Sequence, residues 1–150
     1  MKKSMNFGFK RKEDSPGFLL WQLTNQWQQQ QRKALEPLGL THAQFVALAG
    51  ILWLSNTSEY GPSQNQVADF TQIDKMMMSD VVKILLQKKL IERHRNPGDG
   101  RAYCLNLTIK GHNVTLKAIP LVEEVDAQFF KSQTKFLNEF VNILSNRLRT

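Results

Sequence analysis

Apolar positions recur at helical spacing over most of this chain and switch to alternation once. Ser15-Pro16 opens the first helical pattern, with Ser as cap and Pro at the first helical position. Up to about Glu36, Leu20, Leu23, Trp27 and Ala34 fall on or near one stripe, with Phe18 and Trp21 beside it. Glu36-Pro37-Leu38-Gly39 stops the helix, and the polar run Gln28 to Lys33 predicts a second half that is exposed or packs on a partner through mixed contacts. Thr41 caps a second helix, His42 to Asn56. Its Phe45, Leu48, Ala49, Leu52 and Trp53 predict a core stripe, and His42 an exposed, cap-adjacent side chain. After a loop at Asn56 to Pro62, Ser63 caps a short helix to about Thr71 with Val67, Ala68 and Phe70 as its apolar side.

Asp74 caps the next helix, Lys75 to Lys89. Met78, Val81, Val82 and Leu85 make its core stripe, and Lys75, Met76, Ser79, Asp80, Lys83 and Gln87 fall on the other side. The alternation comes next. Leu90 to Arg95 and Ala102 to Leu107 flank Asn96-Pro97-Gly98-Asp99-Gly100, strong turn chemistry, which predicts a β-hairpin with Arg101 near its tip. Thr108 caps a long helix from Ile109 to about Lys131, with Pro120 inside it. A last helix, Thr134 to Leu148, carries Phe136, Leu137, Phe140, Val141 and Leu144 as a stripe. With Phe129 and Phe130 upstream, that is more apolar surface than a tail requires. The predicted class is mainly α with a small β-hairpin.

Charge changes the picture because of where it sits. The net charge is +7 and favours a polyanionic partner. Residues 75–112 hold eight Lys/Arg against three acids, whereas residues 15–74 hold two against four. The excess lies on the helix–turn–helix and hairpin, and on residues 1–14, which read as a flexible tail or, alternatively, a phosphate-touching arm. A second helix with an exposed polar edge fits a major groove ~12 Å wide. Arg93 and Arg95, two apart on a strand, share a face and reach phosphates. Lys88 and Lys89 read as neutralising a helix C-terminus.

Other chemistry narrows the function by elimination. The single cysteine, Cys104, forms no intrachain disulfide and no cysteine zinc site, and its place on a strand predicts a buried, inert thiol rather than a redox switch. His42, His94 and His112 have no ligand spacing, so no metal is expected. No nucleophile–base pair, phosphate-cradling glycine motif or carboxylate dyad argues for an enzyme, and no cofactor is expected. No apolar run approaches the ~20 residues of a membrane span, and the basic N-terminus lacks the apolar region of a secretory signal. The expected address is the cytoplasm.

The order of motifs from Asp74 to Gly111 resembles the MarR family of winged helix-turn-helix regulators. The resemblance rests on Asp74-Lys75 opening the helix, Leu90-Ile91-Glu92-Arg93 leaving it, Asp99-Gly100-Arg101-Ala102 in the wing, and Leu107-Thr108-Ile109-Lys110-Gly111 after it. It covers residues 15 to 148 by helix order. It implies a single domain over 1–150: a winged-helix core at 41–108, and dimerisation helices at 15–38 and 109–150. It also implies that Arg101 enters a minor groove while Asp99 orients the wing through an ion pair. Where many members carry Ser, Thr or Arg, this chain has Met76, Met77 and Asp80. A Met can touch a thymine methyl and an Asp can accept from cytosine, but a methionine cluster also suits a core or a protein partner. The expected DNA-contacting set is Lys75, Met76, Ser79, Asp80, Lys83, Arg93, Arg95, Asp99 and Arg101. The resemblance further implies a small aromatic ligand, for which Phe18, Trp21, Trp27 and Trp53 are the candidate lining; plain packing is the alternative. The expected function is a homodimeric repressor on a pseudo-palindromic double-stranded operator. The competing expectation is a winged-helix adaptor that binds protein and does not read DNA.

Overall fold

The computed structural model describes residues 8–131 and 134–149. Six helices and one hairpin follow in order: α1 (Pro16–Leu35), α2 (His42–Ser55), α3 (Gln64–Thr71), α4 (Lys75–Gln87), β1 (Ile91–Asn96), β2 (Asp99–Leu107), α5 (Ile109–Phe129) and α6 (Thr134–Leu148). Short 3-10 turns precede and follow α1, at Lys12–Asp14 and Glu36–Leu38. The first of these falls in the expected tail: Arg11 and Asp14 pair at 2.9 Å and hold it.

Each cap read from the sequence closes a helix. Ser15 accepts from the Phe18 amide, and Asp74 from the amides of Met76 and Met77. Thr41 with Gln44, and Ser63 with Gln66, form reciprocal capping boxes. Thr108 Oγ1 accepts from the Gly111 amide at 2.9 Å. The end of α4 comes two residues earlier than expected, because Lys89 turns left-handed at φ 58°. The Leu90 amide then reaches the Leu85 carbonyl and the Lys89 amide the Leu86 carbonyl, a Schellman closure.

The core lies where α2 meets α3, α4, β2 and α5. From α4 it takes Met78, Val81, Val82 and Leu85, as the periodicity predicts. From α2, Phe45 and Leu48 are buried as expected, but the burial also takes in Gln44, Ala47, Gly50 and Ile51, whereas Trp53 is 66% exposed. The helix is apolar on nearly all sides, so its pattern did not select one face. Phe70 of α3 is likewise exposed, not core. On α1 the expected stripe of Leu20 and Leu23 is exposed, and the fully buried residues are Gln31 and Leu35. Val141 and Leu144 of α6 are also exposed, while Phe136 and Leu137 lie outside the residues whose side chains are described. Among the described residues no single helix is long and apolar enough to cross a membrane.

Three backbones meet at one point behind α4. The Thr108 amide donates to the Leu90 carbonyl at 3.1 Å and Thr108 Oγ1 to the Lys89 carbonyl at 2.8 Å. Lys88 Nζ crosses to the Gly39 carbonyl (2.6 Å) and Gln44 Oε1 (2.9 Å), and Lys110 Nζ reaches the Lys88 carbonyl. The end of α4 is thus bonded to both the start of α2 and the start of α5.

Candidate nucleic-acid interface

α3 ends in a left-handed Gln72 (φ 58°), and Asp74 restarts the chain as α4. The buried stripe of α4 is fixed in the core, so the opposite face must point outward. Lys75, Met76, Ser79, Asp80 and Lys83 are all exposed on it. Among the described residues, neither Lys75 nor Lys83 is engaged in an ion pair or hydrogen bond, so both ammonium groups are available.

The hairpin stands beside this helix. β1 and β2 are antiparallel with Ile91 opposite Leu107, Arg93 opposite Leu105 and Arg95 opposite Tyr103. The next pair is Asn96 with Asp99, closed by the two-residue turn Pro97-Gly98. Gly100, Arg101 and Ala102 therefore have no partners across the ladder; they form an irregular bulge, the kind of feature that re-aims a side chain. Arg101 occupies its centre and is exposed. Asp99 does shape the tip, but not through an ion pair: among the described residues its recorded contact is Oδ1 accepting the Arg101 amide at 3.0 Å. A carboxylate two residues before an amide closes this local ring more readily than it reaches a distant cation. Asn96 Oδ1 holds the Gly98 amide in the same way.

The arginines of β1 are oriented by neighbours that sequence reasoning overlooked. The guanidinium carbons of Arg93 and Arg95 lie 5.5 and 5.7 Å from the Tyr103 ring centre, within cation–π range. Arg93 also donates to Gln64 Oε1 at 3.2 Å, and Arg95 to the Gly100 carbonyl at 3.2 Å. Tyr103 was legible in principle, as the residue two-stranded pairing sets across from Arg95. Gln64 was not, because its contact depends on how α3 docks. A cleft of about 380 Å³ runs between Ser63, Gln64 and Asn65 on one side and Arg93 and Tyr103 on the other. Cys104 is buried, with Sγ 3.5 Å from the His94 carbonyl, as expected of an inert thiol.

The candidate ligand aromatics are not gathered. Phe18 lines a cleft of about 400 Å³ with Phe9, Lys10, Arg11, Lys12 and Ser15. Trp21 and Trp53 are exposed on different helices. Trp27 alone sits at a junction, between α1, α2 and α5. Its Nε1 donates to Asp126 Oδ1 at 2.7 Å, and its ring meets His42 edge-on with centres 5.0 Å apart. Gln31 Nε2 donates to the same Asp126 oxygen at 2.8 Å, while Gln31 Oε1 is buried without a partner. His42 sits next to the Thr41 cap, as expected, but is half-buried rather than exposed, because α1 and α5 close over the start of α2. That burial pulls its pKa below the usual imidazole value, against the opposing pull of the Asp126 carboxylate. Among the described residues no group of three His, Cys, Asp or Glu is placed to hold a metal.

The same arrangement recurs among known proteins. The MarR family model matches residues 40–103. The uncharacterized HTH-type transcriptional regulator YdcH of Bacillus subtilis (strain 168) is 43% identical over 121 residues, covering 81% of this chain and 82% of that protein. The chain belongs to the MarR family. As a MarR-family protein it is a transcriptional regulator and not an enzyme. Solved structures share the fold at lower identity. CouR from Rhodococcus jostii RHA1 bound to p-coumaroyl-CoA aligns with TM-score 0.79 and 23% identity, over 93% of this chain and 96% of that one. The S. aureus MepR–DNA complex aligns with TM-score 0.76 and 20% identity, over 92% and 96% respectively. The helices and hairpin of this chain are therefore those of a MarR winged helix.

Proposed function

We propose that this MarR-family regulator binds double-stranded DNA sequence-specifically as a homodimer and acts as a ligand-responsive repressor. The observation that carries the reading is the pairing of two exposed elements: the outward face of α4 with its unengaged Lys75 and Lys83, and the bulge that isolates Arg101. α4 would lie in a major groove, with Met76, Ser79 and Asp80 toward base edges. Arg101 would enter the adjacent minor groove, where a narrow groove concentrates negative potential. Arg93 and Arg95, steadied by Tyr103, would contact phosphates, and Asp99 would set the tip that carries Arg101.

Dimerisation would use α1, α5 and α6. Trp21, Leu20, Leu116, Ile143 and Leu148 are all exposed large apolar side chains on these helices, which a second copy would cover. The operator would then be pseudo-palindromic, with half-sites about one helical turn, ~34 Å, apart. The CouR complex supports a small aromatic ligand as effector, with Trp27 the one candidate aromatic placed between α1, α2 and α5. A regulator that reads chromosomal DNA works in the cytoplasm.

Selection of bound duplexes from a random pool tests the proposal. An inverted repeat among the winners supports both the reading and its symmetry. Arg101→Ala should then weaken binding about tenfold or more while the dimer stays intact, and affinity should fall steeply with salt as counterions are released. Unchanged binding by Arg101→Ala removes the wing from the mechanism. The exposed Met76 and Met77 favour one second reading, a protein-binding adaptor. Failure to select any salt-sensitive duplex would favour it.

A further inference from the structure

The three consecutive methionines of α4 have been divided by the helix. Met78 is 0% exposed and belongs to the core, whereas Met76 is 79% and Met77 49% exposed. Both exposed ones lie in the first turn, their amides held by Asp74 Oδ1 at 2.9 and 3.3 Å. Spacings of three, four and seven put Met76 on the face of Ser79, Asp80 and Lys83. The only thiol, Cys104, is 3% exposed. The accessible sulfur of the described residues is therefore at the surface proposed to meet DNA. Met1 and Met5 lie outside the described residues.

We propose that Met76 and Met77 form an oxidation site through which hypochlorous acid weakens DNA binding. This rests on the reading of α4 as the DNA-contacting helix. Susceptibility of a thioether follows its exposure, and the sulfoxide is reversible by dedicated reductases. In the net reaction the sulfur gains one oxygen and gives up two electrons. The O–Cl bond of hypochlorous acid breaks, chlorine takes the electrons as chloride, and a proton is released. An apolar, flexible side chain becomes a polar one whose new oxygen only accepts hydrogen bonds. Thymine O4, purine N7 and the phosphates are acceptors too, and a thymine methyl loses its apolar neighbour. At those atoms oxidation replaces a tolerated contact with an opposed one; only a cytosine N4 or adenine N6 amine could pair with the new oxygen.

The test uses the full chain on a duplex selected from a random pool. Its Kd is measured before and after limited hypochlorous acid, with sulfoxide assigned residue by residue by mass spectrometry. The Kd should rise about tenfold, the change that ~1.4 kcal/mol produces, in step with sulfoxide at positions 76 and 77. Methionine sulfoxide reductases should restore it. In M76L/M77L, whatever its own starting affinity, the ratio of treated to untreated Kd should stay close to unity. Full sulfoxide at both positions with an unchanged Kd overturns the proposal. So does an equal rise in M76L/M77L, which moves the effect to another side chain. If the untreated chain selects no duplex, the DNA reading fails first and takes this proposal with it, before any oxidant is added.

Discussion

Gly111→Ala should destabilise the protein although it replaces a helical glycine by the best helix former. A Cβ built at Gly111 overlaps the Leu90 carbonyl oxygen and lies 2.7 Å from the Leu90 carbonyl carbon. Both are backbone atoms, so no flexible side chain can swing away. Either Leu90, which is buried, or the first turn of α5 must move by roughly an ångström; such overpacking costs about 1–3 kcal/mol, and rigid neighbours place it at the upper end. The shift also strains the bond from the Thr108 amide to the Leu90 carbonyl, worth about 1 kcal/mol. Helix propensity returns at most ~1 kcal/mol. The net loss is about 3 kcal/mol, and at ~2–4 °C per kcal/mol for a chain of this size the Tm should fall by roughly 6–12 °C. Gly17, in the first turn of α1, has no atom within 4 Å of its added Cβ. Gly17→Ala should therefore raise the Tm by up to ~4 °C. Urea titrations at one fixed protein concentration separate the two, through Cm shifts of opposite sign at unchanged m. A Gly111→Ala variant as stable as the parent, or stabilised like Gly17→Ala, refutes the close-approach argument.

Asp126→Ala should cost about 2–3 kcal/mol by equilibrium denaturation, since it leaves the Trp27 and Gln31 donors without their shared carboxylate acceptor. A loss under ~0.5 kcal/mol would show those two bonds are replaced by water. His42 makes stability pH-dependent in a stated direction. Well above about pH 6.5 the ring is neutral in both states; as pH falls through that value the unfolded chain takes the proton first, so stability declines until native His42 titrates as well. His42→Gln should remove that component of the slope below about pH 6.5, read from urea midpoints against pH. Tyr103→Leu should weaken operator binding about two- to fivefold by freeing Arg93 and Arg95, an effect of ~0.5–1 kcal/mol, with the Tm little changed. Anisotropy titration against the selected duplex checks it, and an unaltered Kd would mean the ring does not steady the arginines.

How much of this was legible in the sequence depended on whether the signal was local. Caps are local: Ser15, Thr41, Ser63, Asp74 and Thr108 each accept the amide their positions imply. The hairpin was legible because Asn96-Pro97-Gly98 closes a turn without outside help. The phase of α2 was not, because a helix surrounded by α3, α4, β2 and α5 is apolar all round and periodicity carries no direction. Gln31 hid inside a polar run, and its burial depends on Asp126, 95 positions away. The exposed face of α4 was readable, because one stripe must be buried and the rest follows. The role of Asp99 was carried over from resemblance, and its recorded contact is the nearer amide of Arg101. The Trp27–His42–Asp126 junction is purely tertiary and left no pattern along the chain.

The meeting of Lys88, Lys89, Leu90, Thr108 and Gly111 has a mechanical consequence. Where two helices are joined by a flexible loop, each can turn without the other. Here the β1–β2 hairpin connects the two helices in sequence, yet backbone and side-chain bonds fasten the end of α4 directly to the start of α5. The 21 residues of α5 make an arm of ~30 Å. A tilt of about 5° would displace the far end of such an arm by ~2.6 Å, and α4, if it followed through these bonds, would turn through the same angle. Across α4 itself, ~20 Å long, that is nearly 2 Å at the tip, about half the ~3.4 Å spacing of successive bases. With α4 in a major groove as proposed, small packing changes at the distant end of α5 would become a sizeable fraction of a base-pair step.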